Sequence, residues 1–389
     1  MTMEKIMMLA GEPSGDLHGS NLAIELKKLS PGIELFGIGG GRMKNAGVNI
    51  LFGLKDLAVT GLLDVIKNYF KLKKIQTILL SKIKAEKISL IILIDYPDFN
   101  LRFAKLAHRF GTPMIYYISP QVWAWRRGRI KLIKKYVKKI FVFFKFEEEL
   151  YKKAGVPVEF IGHPLLDVVR PSAAPQGPRD PVTQYAGELG NWTIALLPGS
   201  RKQLIKMHLP IMLKSAEIIY KRFPQTKFLI SKLPSVDNEV YINILNKFNL
   251  PVTLLEDKTY DIINTSDIVL TVSGTATLET AILEKPMVII YKLPLFEYLL
   301  ARPLLRLRLI GLVNIVAGKE IVPEFVQFKA RPKIIAKNLI DILTDKQKYG
   351  EIKINLAAVK NSLYPAGASK RAAASILSST TTLLSRSLS

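Results

Sequence analysis

The sequence predicts an α/β fold of two doubly wound, Rossmann-like domains with a cleft between them. Short apolar runs alternate with segments of helical periodicity along the 389 residues, as in parallel sheets covered by helices. This periodicity stops between residues 167 and 191, where four prolines accumulate, so a linker is expected there. Since 49% of the residues are hydrophobic, each domain can bury a core.

The predicted chain therefore has four parts. They are an N-terminal domain (residues 1–168), a linker (169–191), a C-terminal domain (192–365), and a C-terminal helix with a frayed tail (366–389). The strands of the first domain are predicted at residues 5–10, 33–38, 89–94, 113–118, 139–144 and 158–161. Those of the second are predicted at residues 193–197, 227–231, 252–255, 267–272 and 287–291. Because doubly wound sheets bind ligands at the carboxyl ends of their strands, the turns after these strands are the candidate site segments.

Two glycine turns in the second domain predict a diphosphate site. They supply Gly199, Ser200, Arg201, Ser273, Gly274 and Thr275. Backbone N–H groups and hydroxyls in such turns can bind an anion, and the guanidinium of Arg201 can grip phosphate. Glu279 lies about one turn into the following helix, where a carboxylate can accept hydrogen bonds from ribose hydroxyls. Taken alone, the second turn has an alternative interpretation as an ordinary helix start with Ser273 as the N-cap.

Composition points to an anionic partner. The chain has 56 Lys and Arg against 32 Asp and Glu, a formal net charge of +24. Nucleic acid and anionic lipid are the two obvious candidates. There is no cysteine, which excludes disulfides, zinc fingers and thiol catalysis. No window of about 18 residues is apolar and uncharged, so we predict no transmembrane helix and expect a cytoplasmic protein.

Two basic segments are candidates for membrane attachment. Residues 59–75 alternate apolar side chains with lysines, and residues 126–139 are denser still in Arg and Lys. Both patterns are typical of basic amphipathic helices that bind an anionic membrane surface. The membrane-facing candidates are Leu62, Leu63, Ile66, Phe70, Arg126 and Arg127. The alternative is a solvated basic face over an ordinary core helix.

Eight short motifs resemble the lipid-A-disaccharide synthase family in order and spacing. They are residues 11–16, 95–100, 119–125, 160–164, 196–201, 273–279, 314 and 323–327. The resemblance extends from residue 8 to about residue 343, with Pro13 and His18 as departures in the first turn. It implies a GT-B-type glycosyltransferase on the cytoplasmic face of the inner membrane of Gram-negative bacteria. The implied reaction moves 2,3-diacylglucosamine from UDP-2,3-diacylglucosamine to 2,3-diacylglucosamine 1-phosphate, giving UDP and the β-1,6 lipid A disaccharide 1-phosphate.

Inversion at the donor sugar, which the resemblance implies, requires one general base for the acceptor 6-hydroxyl. Asp98 is the first candidate because it follows a predicted strand end in the N-terminal domain. The alternative is that Asp98 only caps the helix at residues 99–109. Asp95 is the competing base, and the neighbouring turn offers Glu12, Asp16 and His18 as further candidates.

The remaining candidate residues are assigned either to the acceptor sugar or to the donor nucleotide-sugar. On the acceptor side we place Glu12, Ser14, Asp16, Asn100 and Trp123. On the donor side the resemblance adds Asn314, Glu324 and Gln327, and the last two would share a face of a helical turn. His108 and His163 are expected to be structural. No metal or other cofactor is expected, since the sequence has no Asp-any-Asp pair at a strand end and no histidine cluster.

Other function classes remain open at this stage. A UDP-N-acetylglucosamine 2-epimerase shares the two-domain architecture, and a non-catalytic nucleotide sensor would use Arg201 and Glu279 without Asp98. A basic nucleic-acid-binding protein fits the charge, but no helix-turn-helix, RNP-like or KH-like motif occurs, so no nucleic-acid partner is expected. The sequence leaves acyl-chain length and oligomeric state open, a homodimer included.

Overall fold

The computed structural model describes residues 4–57, 65–123, 126–170, 189–234, 236–294, 298 and 308–385, without the side chains of 65–69 and 379–385. The chain divides into two compact units, one of Met1–Asp167 with Leu363–Ser389 and one of Val168–Ser362. Most of the predicted linker, residues 171–188, falls outside the described residues.

The first unit is built on a seven-stranded parallel sheet in the order β3-β2-β1-β4-β5-β6-β7. Its strands are β1 (Lys5–Ala10), β2 (Glu34–Gly39), β3 (Asn49–Gly53), β4 (Leu90–Ile94), β5 (Met114–Tyr117), β6 (Lys139–Val142) and β7 (Val158–Phe160). The sheet confirms the predicted doubly wound class. β3 was not predicted, because it is an edge strand that is only partly buried and its apolar pattern is weak.

Helices cover both faces of this sheet. In chain order they are α1 (Pro13–Leu29), α2 (Gly41–Asn45), α3 (Leu54–Leu57), α4 (Val65–Ala85), α5 (Pro97–Ala107), α6 (Arg129–Tyr136), α7 (Lys145–Lys153) and α8 (Leu165–Val168). Successive side chains of β1 point to opposite faces of the sheet, as in any β-strand. Met7 packs in one apolar cluster with Phe103 of α5, and Met8 packs in the other with Leu22 of α1.

The second unit is built on a six-stranded parallel sheet in the order β10-β9-β8-β11-β12-β13. Its strands are β8 (Thr193–Leu197), β9 (Lys227–Lys232), β10 (Val252–Glu256), β11 (Ile268–Val272), β12 (Met287–Tyr291) and β13 (Glu324–Val326). The described helices that follow are α9 (Lys202–Arg222), α10 (Asn238–Leu245), α11 (Thr259–Thr265), α12 (Ala276–Ile282), α13 (Leu312–Ala317), α14 (Pro332–Thr344) and α15 (Lys346–Leu363). The chain proceeds outward from β8 on one side and from β11 on the other. The neighbours β8 and β11 therefore form the topological switch point of this sheet.

The last helix, α16 (Ala368–Ser385), completes the first unit. It packs along α1, and Arg371 donates hydrogen bonds to the carbonyls of Ile161 and Ala366. Lys139 of β6 donates to the hydroxyl of Ser375 at 2.9 Å. The helix continues to Ser385. Within the part of the chain that the structure describes, no helix is both long and apolar enough to span a membrane.

Candidate functional site

A cavity of about 430 Å³ lies at the carboxyl ends of β8, β9, β10 and β11 in the second unit. This is the switch point of the sheet, where doubly wound folds bind their ligands. The volume is within the range of small-molecule sites. Six residues predicted to bind a nucleotide-sugar line this one cavity: Gly199, Ser200, Ser273, Gly274, Thr275 and Glu279.

The turn between β8 and α9 requires glycine at position 199. Gly199 has a φ of 108°, which side chains rarely adopt, and an added Cβ would lie 3.2 Å from the Cβ of Leu204. Ser200 is exposed beside it and lines the cavity. Arg201 occupies the N-cap position of α9 and is exposed. Its contact with a phosphate stays a prediction.

The turn between β11 and α12 also depends on glycine. Gly274 has a φ of 153° and no heavy atom near an added Cβ, so its backbone conformation and not space requires glycine. Its carbonyl accepts hydrogen bonds from both the backbone N–H and the hydroxyl of Thr277, at 3.1 and 2.8 Å. The interpretation of Ser273 as the N-cap is wrong, because Thr275 occupies that position and the Ser273 hydroxyl donates to the carbonyl of Ile310 at 2.7 Å.

Glu279 is paired inside the cavity with a tyrosine that the sequence analysis missed. The hydroxyl of Tyr260 donates to Oε1 of Glu279 at 3.2 Å, and both side chains are partly buried in the cavity wall. Burial raises the pKa of the Glu279 carboxyl, and the bond from Tyr260 opposes that rise. Burial and the charge of Glu279 raise the pKa of the Tyr260 hydroxyl, which therefore keeps its proton and donates.

Further cavity residues come from the turns after β9 and β10. Ser231 and Thr259 are joined hydroxyl to hydroxyl at 2.6 Å, and Lys258 adds a cation. Asp257 has a φ of 54°, an uncommon conformation for a non-glycine residue. These residues could have been predicted from their position after strand ends, where doubly wound sheets bind ligands. They were missed because the sequence analysis favoured turns that contain a glycine, and neither of these turns does.

Asn314 and Glu324 bind the protein backbone. Glu324 accepts from the backbone N–H of Ile310 and of Gly311, each at 2.8 Å, and from Nδ2 of Asn314 at 2.7 Å. The carbonyl oxygen of the Asn314 side chain accepts from the N–H of Ile321 at 2.8 Å. Neither residue is among those that line the cavity.

Gln327 likewise secures a neighbouring loop. Its amide nitrogen donates to the carbonyl of Leu293 at 2.7 Å, and its amide oxygen accepts from the N–H of Leu293 at 3.0 Å. The expected helical turn over Glu324 and Gln327 is wrong, since Glu324 begins β13 and Gln327 begins a short 3-10 helix. Binding of the donor by Asn314, Glu324 or Gln327 stays a prediction.

In the first unit, the turn after β4 has an unusual backbone. Asp95 and Tyr96 have φ angles of 46° and 44°, and non-glycine residues with such angles cluster at functional sites. Asn100 stabilises the turn by donating from Nδ2 to the carbonyl of Asp95 at 2.7 Å. The ring of Tyr96 covers Gly11, where an added Cβ would lie 2.2 Å from a ring carbon. The two candidate turns, after β1 and after β4, are thus in direct contact.

Asp98 is held by two arginines. Its Oδ1 accepts from Arg126 at 2.7 Å and from Arg129 at 2.6 Å. The interpretation of Asp98 as a helix cap is wrong, because α5 begins at Pro97 and Tyr96 occupies the N-cap position. The side chain of Asp98 is 66% exposed, so solvent and a substrate can reach it.

Asp95 differs from Asp98 in its surroundings. Burial, reinforced by the nearby charge of Glu12, raises the pKa of the Asp95 carboxyl from 3.8 to about 6, and the Arg129 guanidinium opposes this. A carboxyl with such a pKa can exchange a proton near neutral pH. The structure therefore keeps Asp95 as the competing base.

The other acceptor-side candidates have varied environments. Asp16 is buried and accepts from the backbone N–H groups of Gly40, Arg42 and Met43, so it caps the turn after β2. Glu12 and Ser14 are exposed. The indole of Trp123 donates to Glu147 at 3.2 Å, and burial raises the pKa of Glu147 to about 8. The roles of these residues toward an acceptor stay predictions.

The three histidines of the first unit, His18, His108 and His163, each pack against an aromatic ring, and their structural or catalytic roles stay predictions. His163 is buried, and its Nδ1 accepts from the N–H of Leu165 at 3.1 Å. Burial lowers the pKa of His163 to about 3 and that of His18 to about 4, so both are neutral at pH 7. His108 is exposed and packs edge-on against Tyr136. Among the described residues, no three His, Asp or Glu side chains are arranged to hold a metal ion.

The basic segments are described only in part. Leu62 and Leu63 lie outside the described residues, as does the side chain of Ile66. Ile75 of α4 and Ile133 of α6 belong to one apolar cluster, so both helices cover the same face of the sheet. On their outer side, Phe70 is 64% exposed. The exposed basic residues here include Lys71, Lys73, Lys74, Arg126, Arg127, Lys131, Lys134 and Lys135.

Sequence comparison adds family evidence to this geometry. The family model for lipid-A-disaccharide synthetase matches residues 6–376. The lipid-A-disaccharide synthase of Syntrophus aciditrophicus is 42% identical over 378 residues, covering 96% of this chain and 97% of that protein. The enzyme of the same name from Geobacter sulfurreducens is 40% identical over 376 residues, covering 97% of each chain.

Solved structures agree on the fold. The structure titled a putative UDP-N-acetylglucosamine 2-epimerase from Listeria monocytogenes aligns with a TM-score of 0.64 at 13% identity, covering 98% of each chain. The glycosyltransferase of kitacinnamycin aligns with a TM-score of 0.62 at 14% identity, covering 97% of this chain and 99% of the other. At these identities the likeness shows a shared GT-B architecture and not a shared substrate.

Proposed function

Because this chain belongs to the lipid-A-disaccharide synthase family, we propose that it transfers 2,3-diacylglucosamine from UDP-2,3-diacylglucosamine to 2,3-diacylglucosamine 1-phosphate. It is a glycosyltransferase of lipid A biosynthesis, and the epimerase and nucleic-acid-binding alternatives are not favoured. The products are the β-1,6-linked disaccharide 1-phosphate and UDP. The observation that carries the proposal is the cavity at the β8–β11 switch point, which gathers two glycine turns and Glu279.

UDP is proposed to occupy this cavity. Backbone N–H groups of the turns at Gly199 and Gly274 bind the diphosphate, Arg201 adds a guanidinium, and Glu279 accepts from the ribose. These donors stabilise the charge that develops on the UDP leaving group. We propose that they do so without a divalent cation.

The base of the reaction is proposed to be Asp98. Its carboxylate takes the proton of the acceptor 6-hydroxyl as that oxygen attacks C1 of the donor sugar, and the bond from C1 to the UDP oxygen breaks with inversion. Arg126 and Arg129 hold Oδ1 of Asp98. The other carboxylate oxygen is then available for the hydroxyl proton.

The protein is further proposed to bind the anionic cytoplasmic face of the inner membrane. The support is the net charge of +24 and the exposed basic residues of α4 and α6 beside Phe70. Each basic residue near an anionic surface adds roughly 1 kcal/mol. Both substrates carry acyl chains, so a protein at this surface would meet them where they reside.

The direct test supplies both lipid substrates in detergent with EDTA and identifies products by mass spectrometry. Appearance of UDP and disaccharide in equal amounts supports the proposal and its metal independence. Conversion of UDP-N-acetylglucosamine without an acceptor would contradict it. A requirement for added Mg²⁺ would contradict only the metal-independent part.

A further inference from the structure

Tyr260 occupies a firmly anchored position in the cavity wall. It lies in the first turn of α11, where the preceding residue, Thr259, is bonded to Ser231 at the end of β9 at 2.6 Å. Ile262 and Ile263 of the same helix are buried in the core. The backbone that carries Tyr260 is therefore fixed both by the sheet and by the core.

The hydroxyl of Tyr260 forms a hydrogen bond with one of the two carboxylate oxygens of Glu279. It donates to Oε1 at 3.2 Å, and no hydrogen bond within the described part of the chain engages Oε2. Since α11 anchors the backbone of Tyr260, this bond restricts the side-chain torsions of Glu279 and leaves Oε2 as an acceptor for a ligand. Loss of the bond would leave a partly buried carboxylate without this orientation.

The chemistry of the pair selects one part of a nucleotide. A diphosphate would be repelled by the carboxylate, whereas a ribose offers two neighbouring hydroxyl donors. The carboxylate that Tyr260 orients can accept from these hydroxyls. The pair is therefore matched to a vicinal diol.

We propose that Tyr260 is a positioning residue for ribose recognition, acting by holding Glu279 in the rotamer that accepts from the ribose hydroxyls. This inference rests on the proposed binding of UDP in the same cavity. It adds a residue that the sequence pattern did not indicate and gives it a role separate from diphosphate binding.

The test compares UDP with 2′-deoxy-UDP and 3′-deoxy-UDP by isothermal titration calorimetry, for wild type, Tyr260→Phe, Glu279→Gln and the double variant. Wild type should prefer UDP over at least one deoxy compound by about 10-fold, as expected for one lost hydrogen bond to a charged group. Tyr260→Phe should lose most of this preference while its affinity for that deoxy compound stays unchanged. The double variant should show the same preference for UDP as Glu279→Gln alone, because both substitutions remove the same interaction.

The outcomes separate the inference from the function on which it rests. If wild type binds UDP and Tyr260→Phe keeps the full preference, Tyr260 has no part in ribose recognition. An equal loss of affinity for all three nucleotides would show a merely structural role and also overturn the inference. If wild type binds none of them, the proposed function itself fails. Tyr220→Phe, on α9 and outside the cavity lining, is the matched control.

Discussion

Arg129 donates from Nη2 to Oδ1 of Asp98 at 2.6 Å, and its side chain is 8% exposed while that of Asp98 is 66% exposed. A buried guanidinium thus fixes an accessible carboxylate in the first turn of α5. The arginine comes from α6, in the basic segment that the sequence analysis interpreted as a membrane-binding surface or, alternatively, a solvated basic face.

Arg129→Gln should lower the transfer rate by about 10- to 100-fold, the range expected when a charge-assisted hydrogen bond that orients a base is lost. UDP affinity should not change, because the cavity belongs to the second unit. Steady-state kinetics in detergent, with calorimetry for UDP, measures both quantities. Lys131→Ala, an exposed change on the same helix, should keep the wild-type rate. Equal losses in the two variants would argue against an orienting role for Arg129.

Glu147 makes folding stability depend on pH. Burial raises its pKa from 4.5 to about 8, so the folded state favours the protonated carboxyl. The contribution of this proton is fully present below pH 4.5 and is lost as the pH rises through about 8. The free energy of unfolding should therefore decline over this window, and Glu147→Gln should make the decline shallower.

Denaturant unfolding at a series of pH values checks this expectation. Glutamine can still accept from the indole of Trp123, so the substitution removes the charge and keeps the acceptor. Glu149→Gln, at an exposed position of α7, is the control and should retain the wild-type slope. A Glu147→Gln slope equal to that of wild type would show that Glu147 does not titrate in this window.

Glu324→Gln should destabilise the second unit by about 2 kcal/mol or more, because one carboxylate accepts three hydrogen bonds and an amide cannot replace both oxygens. It should also weaken UDP binding, since Ile310 is bonded to Glu324 through its N–H and to Ser273 through its carbonyl. Urea unfolding and UDP titration measure the two effects. Glu320→Gln, exposed nearby, should change neither.

Binding to anionic vesicles should depend on the outer faces of α4 and α6. Replacement of Lys73, Lys74, Lys134 and Lys135 by glutamine should weaken binding to phosphatidylglycerol vesicles at low salt by about 1000-fold, given roughly 1 kcal/mol for each of the four charges. Transfer in detergent should be retained. Replacement of four exposed lysines elsewhere, Lys319, Lys329, Lys337 and Lys346, is the charge-matched control. Equal loss in both variants would mean that net charge, and not this face, governs binding.

The sequence was informative where burial is continuous. Every residue of β4 and β11 is buried, and both strands were predicted. The glycine turns after β8 and β11 were predicted as site segments because each lies at the end of a strand. β3 and β13, which are partly buried edge strands, were not predicted. No local pattern marks them as strands.

The site residues likewise divide into those that a local sequence pattern indicates and those that only the fold brings together. Glu279 was predicted because it follows a recognisable turn, whereas Tyr260 was missed because only the fold brings it to Glu279. The roles of Asp16 and Asn314 could not be predicted for a similar reason. Their partners are backbone groups that lie beside them only after folding, such as the N–H of Gly40 and of Ile321. A sequence shows that such a side chain is polar but not which group it binds.

The central claim is that Asp98 takes the acceptor proton while the switch-point cavity holds UDP. The most direct measurement is disaccharide formation by Asp98→Asn and Asp95→Asn with both lipid substrates, EDTA and detergent, alongside the UDP dissociation constant of each variant. We predict that Asp98→Asn loses at least about 100-fold in turnover, as expected for a general base, with UDP affinity unchanged. Wild-type turnover by Asp98→Asn together with an inactive Asp95→Asn would contradict the claim and assign the base to Asp95.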